Sequence, residues 1–140
     1  MPSFVLAFFL PSQADVTSTI LVVDPNADTR EMYGRLLGAQ RDWRVVTASD
    51  TAQAAELTHA RVPDVVVRGL TLREAMGETG MCDTLQRFYG APVPVIAITG
   101  VPPQIVRDQH GYACVLQTPL LHDVLIVSIR RVMNQKRARY

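Results

Sequence analysis

The chain has 140 residues, the size of one domain and enough to bury a proper core. A hydrophobic share of 48% with 19% charged residues excludes a disordered or fibrous polymer. The formal net charge of +1 gives no whole-molecule pull toward nucleic acid or anionic lipid, and two cysteines, Cys82 and Cys114, are too few for a secreted disulfide scaffold.

Residues 1–18 stand apart from the rest. Phe4-Val5-Leu6-Ala7-Phe8-Phe9-Leu10 is an apolar run stopped by Pro11, and a polar stretch follows to Ser18. Ser12-Gln13-Ala14 has the small residues of a signal-peptide cleavage site, but nothing before Phe4 is basic and the run is short. The expectation is an N-terminal extension that packs on the domain, or a start assigned too early. No run in the chain approaches the roughly 20 apolar residues that span a bilayer.

From Thr19 the pattern is regular. Ile20-Leu21-Val22-Val23 predicts a buried strand ending at Asp24, and Pro25-Asn26 turn the chain into a helix over residues 27–37. Met32, Tyr33, Leu36 and Leu37 fall on one side of that helix, with Gly38 as its stop. Residues 43–48 read as a second strand. Asp50 with Gln53 three later has the spacing of a capping box for an Ala-rich helix reaching about Ala60.

The central element is Pro63-Asp64-Val65-Val66-Val67-Arg68-Gly69. Three β-branched residues without polar alternation, bounded by Pro63 and Gly69, suit a strand covered on both faces. Residues 71–79 predict a polar loop, and Cys82, Leu85, Phe88 and Tyr89 a third helix closed by Gly90 and Pro92. Residues 93–98 form a fourth strand, its Pro94 near the first positions, where a missing donor is tolerated. Pro102 and Pro103 suit the first turn of a short helix that Gly111 ends. Residues 113–116 make a last strand. Leu121, Leu125, Ile129, Val132 and Met133 fit the buried stripe of a final helix, whose end carries the cations Arg130, Arg131, Lys136, Arg137 and Arg139.

Five strands alternating with helices predict a three-layer α/β/α sandwich, a doubly wound parallel five-stranded sheet in the flavodoxin-like order 2-1-3-4-5. The expected organisation is an extension over 1–18, the domain over 19–135 and a basic tail over 136–140. In an open parallel sheet, chemistry sits beyond the carboxyl ends of the strands. There this chain carries Asp24-Pro25, Arg68-Gly69, Thr99-Gly100 and Gln117-Thr118-Pro119.

At this point residues 19–135 resemble a response-regulator receiver domain of the CheY-like superfamily. Ile20–Asp24 resembles that family's opening strand, Ala27-Asp28-Thr29-Arg30 its first helix, Pro63–Val67 the strand leading to its phosphoacceptor, Ile96–Gly100 its fourth strand, and the Pro119 turn its last. The resemblance implies two acids ending the first strand that hold Mg²⁺, and an Asp ending the third that accepts a phosphoryl group from a histidine kinase. It also implies a Ser or Thr on strand four and a Lys before the final Pro.

By position, Asp24 keeps the first acid, Pro25 replaces the second and Gly69 stands where the acceptor Asp is expected. Thr99 retains the hydroxyl, Thr118 replaces the Lys, and Val115 takes the place of the family's switch aromatic. Glycine has no nucleophile, and a lone Asp24 beside a proline is a poor Mg²⁺ site. Two arrangements of Arg68 are open. Its guanidinium can reach Asp24 and balance a carboxylate without a metal, or it can face solvent while Asp24 is hydrated.

Other candidates are weaker. Cys82 on an apolar helix face and Cys114 in a buried strand read as small hydrophobes. His59, His110 and His122 lie near helix ends without metal-ligand spacing. Glu74, Glu78 and Asp83 are the acids that could bring a substitute carboxylate to the pocket. Gly77 and Gly80 lack the spacing of a nucleotide loop. The basic end lacks stacking aromatics or a recognition helix for nucleic acid.

The expectation is a cytoplasmic degenerate receiver, with no output domain following, that acts as a non-enzymatic, phosphorylation-independent interaction module in two-component signalling. It needs no cofactor, its Mg²⁺ binding is weak or absent, and it partners a histidine kinase, another receiver or itself, with neither nucleic acid nor membrane. The alternatives are phosphorylation on a displaced carboxylate and a flavodoxin-like domain that binds a small anion or nucleotide.

Overall fold

The computed structural model describes residues 18–77, 87–90 and 92–138. Five parallel strands, β1 (Ser18–Val23), β2 (Trp43–Ala48), β3 (Val65–Gly69), β4 (Val95–Thr99) and β5 (Cys114–Gln117), form one sheet. Its order is β2-β1-β3-β4-β5, as predicted. The contiguous apolar runs occupy the centre: every residue of β1 and β4 is buried, as are Val65 to Arg68 of β3. Edge strands β2 and β5 are only half-buried along most of their length. Cys114 is therefore half-buried rather than deep in the core, and burial pushes its thiol pKa up.

Side-chain alternation divides the core into two layers. Ile20, Val22, Val65, Val67, Ile96 and Ile98 face helix α1 (Ala27–Gly38), which contributes Tyr33 and Leu37, and helix α4 (His122–Ala138), which contributes Leu125, Ile129, Val132 and Met133. Leu21, Val23, Val66 and Val95 face the other way, toward Ala54 of helix α2 (Thr51–Thr58). A fully buried Leu125 or Ile129 contributes about 1.5–3 kcal/mol by leaving water. Arg130 ties α4 to the far edge of the sheet. Its guanidinium lies 4.4 Å from the Trp43 ring centroid and donates to Asp42 Oδ2 at 3.1 Å and Gln40 Oε1 at 2.9 Å.

The helix starts carry their signals. Asn26 Oδ1 accepts from Thr29 N at 2.9 Å, and Asp50 Oδ1 from Gln53 N at 2.8 Å. The reciprocal arm from Gln53 reaches Ser49 N rather than Asp50 N, and α2 stops at Thr58, short of Ala60.

Several expectations are corrected. Within 71–79, where a loop is predicted, a one-turn helix α3 (Leu72–Ala75) forms under a capping box between Thr71 and Glu74. The single helix expected after Pro102 is instead two separate 3-10 turns, Pro103–Ile105 and Gln109–Gly111, with Asp108 between them at φ 58°. Leu121 precedes α4 and is 74% exposed, so it is not part of the buried stripe, and Met32 on α1 is also exposed. Strands β4 and β5 begin later than predicted, at Val95 and Cys114. Lys136 and Arg137 belong to α4 rather than to a tail. The extension over residues 1–17, Arg139, Glu78, Gly80, Asp83 and most of the third helix, Cys82 included, lie outside the described residues, although Arg87, Phe88 and Tyr89 are helical.

Candidate functional site

The carboxyl ends of the strands form a rim, and strand register decides who meets whom there. Val23 pairs with Arg68, so Asp24 and Gly69, one residue on, stand side by side. An ideal Cβ on Gly69 would lie 1.9 Å from Asp24 Oδ2 and 2.8 Å from its Cγ. The Asp24 carboxylate occupies the space that any side chain at 69 would take. It is held there on its other oxygen, since Asn26 N donates to Asp24 Oδ1 at 2.8 Å. Arg30 Nη1 donates to the main-chain oxygens of Asp24 at 2.9 Å and Pro25 at 3.2 Å. Below lies Tyr33, whose phenol pKa is raised, first by burial and then by the negative charge of Asp24.

Arg68 belongs to the opposite face. Alternation sends Val65, Val67 and Gly69 to the α1/α4 side, and Val66 and Arg68 to the α2 side. Arg68 is buried (5% exposed), and among the described residues it forms an ion pair with Glu74 rather than with Asp24. The pairing of Arg68 with Asp24 and the solvent-facing alternative are both replaced by this contact. Glu74 is fixed from two directions: Oε2 takes the Arg68 donor and Oε1 accepts from Thr71 N at 2.9 Å. Sequence reasoning named Glu74 only as a spare carboxylate. The available signal was the Thr71-x-x-Glu74 spacing of a capping box, which fixes where that side chain must turn.

Thr99 and Thr118 form a second pair. Thr99 is 2% exposed, and its hydroxyl accepts from Val101 N at 3.1 Å. Its carbonyl accepts from Thr118 N at 2.9 Å and from the Thr118 hydroxyl at 3.5 Å. Pro119 follows through a cis peptide bond. Val115 is half-buried on edge strand β5, level with Ala97.

The donor set does not suit the Mg²⁺ that the resemblance implies. Pro25 supplies no side-chain oxygen, one Asp24 oxygen is taken by Asn26 N and the other is turned to Gly69. Among the described residues no cluster of three or more His, Cys, Asp or Glu is placed to hold a metal ion, and no helix is long and apolar enough to cross a membrane. His59, His110 and His122 are dispersed, at the end of α2, in a 3-10 turn and at the start of α4.

No family model matches the chain. A curated relative, the "Probable transcriptional regulator ycf27" of Guillardia theta, is 27% identical over 117 residues, which are 83% of this chain and 45% of that protein. This chain thus spans less than half of that relative. Among solved structures, a response regulator receiver domain protein from Clostridium thermocellum aligns with a TM-score of 0.71 at 20% identity, over 89% of this chain and all of the other. NtrX from Brucella abortus, solved with ADP, aligns with a TM-score of 0.73 at 22% identity, over 88% of this chain and 28% of that one. The chain has the flavodoxin-like fold of response-regulator receiver domains.

Proposed function

We propose that the chain is a degenerate receiver of two-component signalling that binds partners without being phosphorylated. The observation that carries this is the contact at the end of β3. The place where a receiver's acceptor side chain would stand is filled by the protein's own Asp24 carboxylate, 1.9 Å from an ideal Cβ on Gly69. A carboxylate locked by Asn26 N and aimed at the sheet cannot swing to an in-line donor without breaking that bond. The displaced-carboxylate alternative gains little from Glu74, because both of its oxygens are engaged.

Partner binding then falls to a face shared by α4, edge strand β5 and the two 3-10 turns. Val124 and Val127 on α4 and Ile105 in the first turn are exposed apolar side chains, and Val115 on β5 is half-buried. A histidine kinase, another receiver or a second copy of this chain suits such a face, in the cytoplasm. With no aromatic at 115 and no phosphoryl group to trap one, binding equilibria set the state of the face.

The test is incubation with acetyl phosphate and Mg²⁺, read by intact-mass spectrometry. The expected result is an unchanged mass. A gain of one phosphoryl group on any rim carboxylate removes the proposal.

A further inference from the structure

We infer that Arg68 holds the first 3-10 turn in place from across the rim, through Glu74 and the one-turn helix α3. A buried cation needs an anion, and the carboxylate that pairs with Arg68 in the structure sits on a helix of four residues, too short to persist alone. Two devices keep α3 folded: the capping box with Thr71 and the guanidinium of Arg68. The next carbonyl along is the link. Ala75 O accepts from Arg107 N at 2.8 Å.

Beyond it the two segments run in contact. Gly77 turns at φ +103°, and a Cβ there would lie 2.9 Å from Arg107 Cγ. Val106 beside it is buried, and Ile105 emerges exposed at the end of the turn. A line of direct contacts therefore joins the end of β3 to Arg107, two residues past the 3-10 turn: guanidinium, carboxylate, helix, main-chain hydrogen bond. Such a line couples the sites when loosening one member releases the next. The protein's own carboxylate keeps this turn in one arrangement without any added group.

The weight of this coupling for signalling rests on the interaction-module proposal above. The coupling itself is measured without a partner or phosphodonor, so the two can fail separately.

The measurement is amide hydrogen exchange on the intact chain. In Glu74→Gln, which keeps a capping oxygen but removes the charge, the Arg107 and Gly77 amides exchange at least tenfold faster beyond whatever acceleration Val22 and Val23 in β1 show from the change in global stability. Faster exchange at Met76 and Gly77 with Arg107 unaltered overturns the inference, because Glu74 then serves only its own turn. If Glu74→Gln does not fold, the exposed cap variant Thr71→Ala weakens α3 from its other end. It must also accelerate Arg107, and an unmoved Arg107 amide in that variant equally overturns the proposal.

Discussion

The two faces of the rim handle charge in opposite ways. On the α1/α4 side the Asp24 carboxylate accepts from one main-chain donor, Asn26 N, and fills the space over Gly69. On the α2 side a buried guanidinium meets a half-buried carboxylate. The first arrangement is steric, with Asp24 acting as packing. The second is electrostatic, an ion pair between charges of opposite sign. The difference shows that one strand end can carry two unrelated solutions, because side chains one residue apart point into different layers.

The largest effect is expected on the electrostatic face. Glu74→Ala takes a carboxylate partner away from a buried guanidinium and should destabilise the fold by about 3 kcal/mol. The double variant Arg68→Met with Glu74→Leu removes both charges and should fall within about 1 kcal/mol of the parent, since a buried pair often does no better than apolar residues. Urea unfolding measures both. Equal losses in the two variants would erase the distinction between the faces.

An intermediate effect is expected on the steric face. Gly69→Asp must push the Asp24 carboxylate aside and set two like charges together, which costs about 1–3 kcal/mol without a cation. Combining it with Asp24→Ala should return most of that loss, as measured by thermal unfolding at matched ionic strength. Residue 69 is not at positive φ, so backbone strain has no part in the result. A loss that persists in the double variant argues against the contact with Asp24. Neither variant should accept a phosphoryl group, because Pro25 and Thr118 are unchanged.

The smallest effect is a titration. The Tyr33 phenol pKa is raised by burial and then by Asp24, so the neutral form is favoured in the folded state. Its contribution to stability is complete below about pH 10, the ordinary phenol value, and is lost as the pH rises through the folded value. Asp24→Asn removes the second cause. Tyrosinate absorbance should then show Tyr33 ionising at lower pH than in the parent, though still above an exposed tyrosine. No change would place the Asp24 charge too far away to matter.

Much of this frame is legible in the residues. The runs Ile20–Val23 and Val65–Val67 announce central strands because both faces are covered, and Asn26 and Asp50 mark helix starts by a mechanism that local sequence contains. The partner of Arg68 is harder. Deciding its face requires knowing that Val23 pairs with Arg68, and register is a tertiary fact. The segment before β5 fails for another reason. Between Pro103 and Gly111 there is no apolar period, so prolines that suit a helix start equally suit a single 3-10 turn. Leu121 misleads because it falls in phase with Leu125 but lies just before α4, outside the packed stretch.

Arg130 and the core side chains of α4 reach back across nearly the whole domain, to Asp42, Trp43 and the layer built on β1 and β3. During synthesis a nascent chain that has emerged only to residue 121 can pair its strands and dock α1, but the part of that face which α4 covers is still wet. That intermediate is the moment of greatest exposure to aggregation or chaperone capture, and it ends only when residue 133 clears the ribosome.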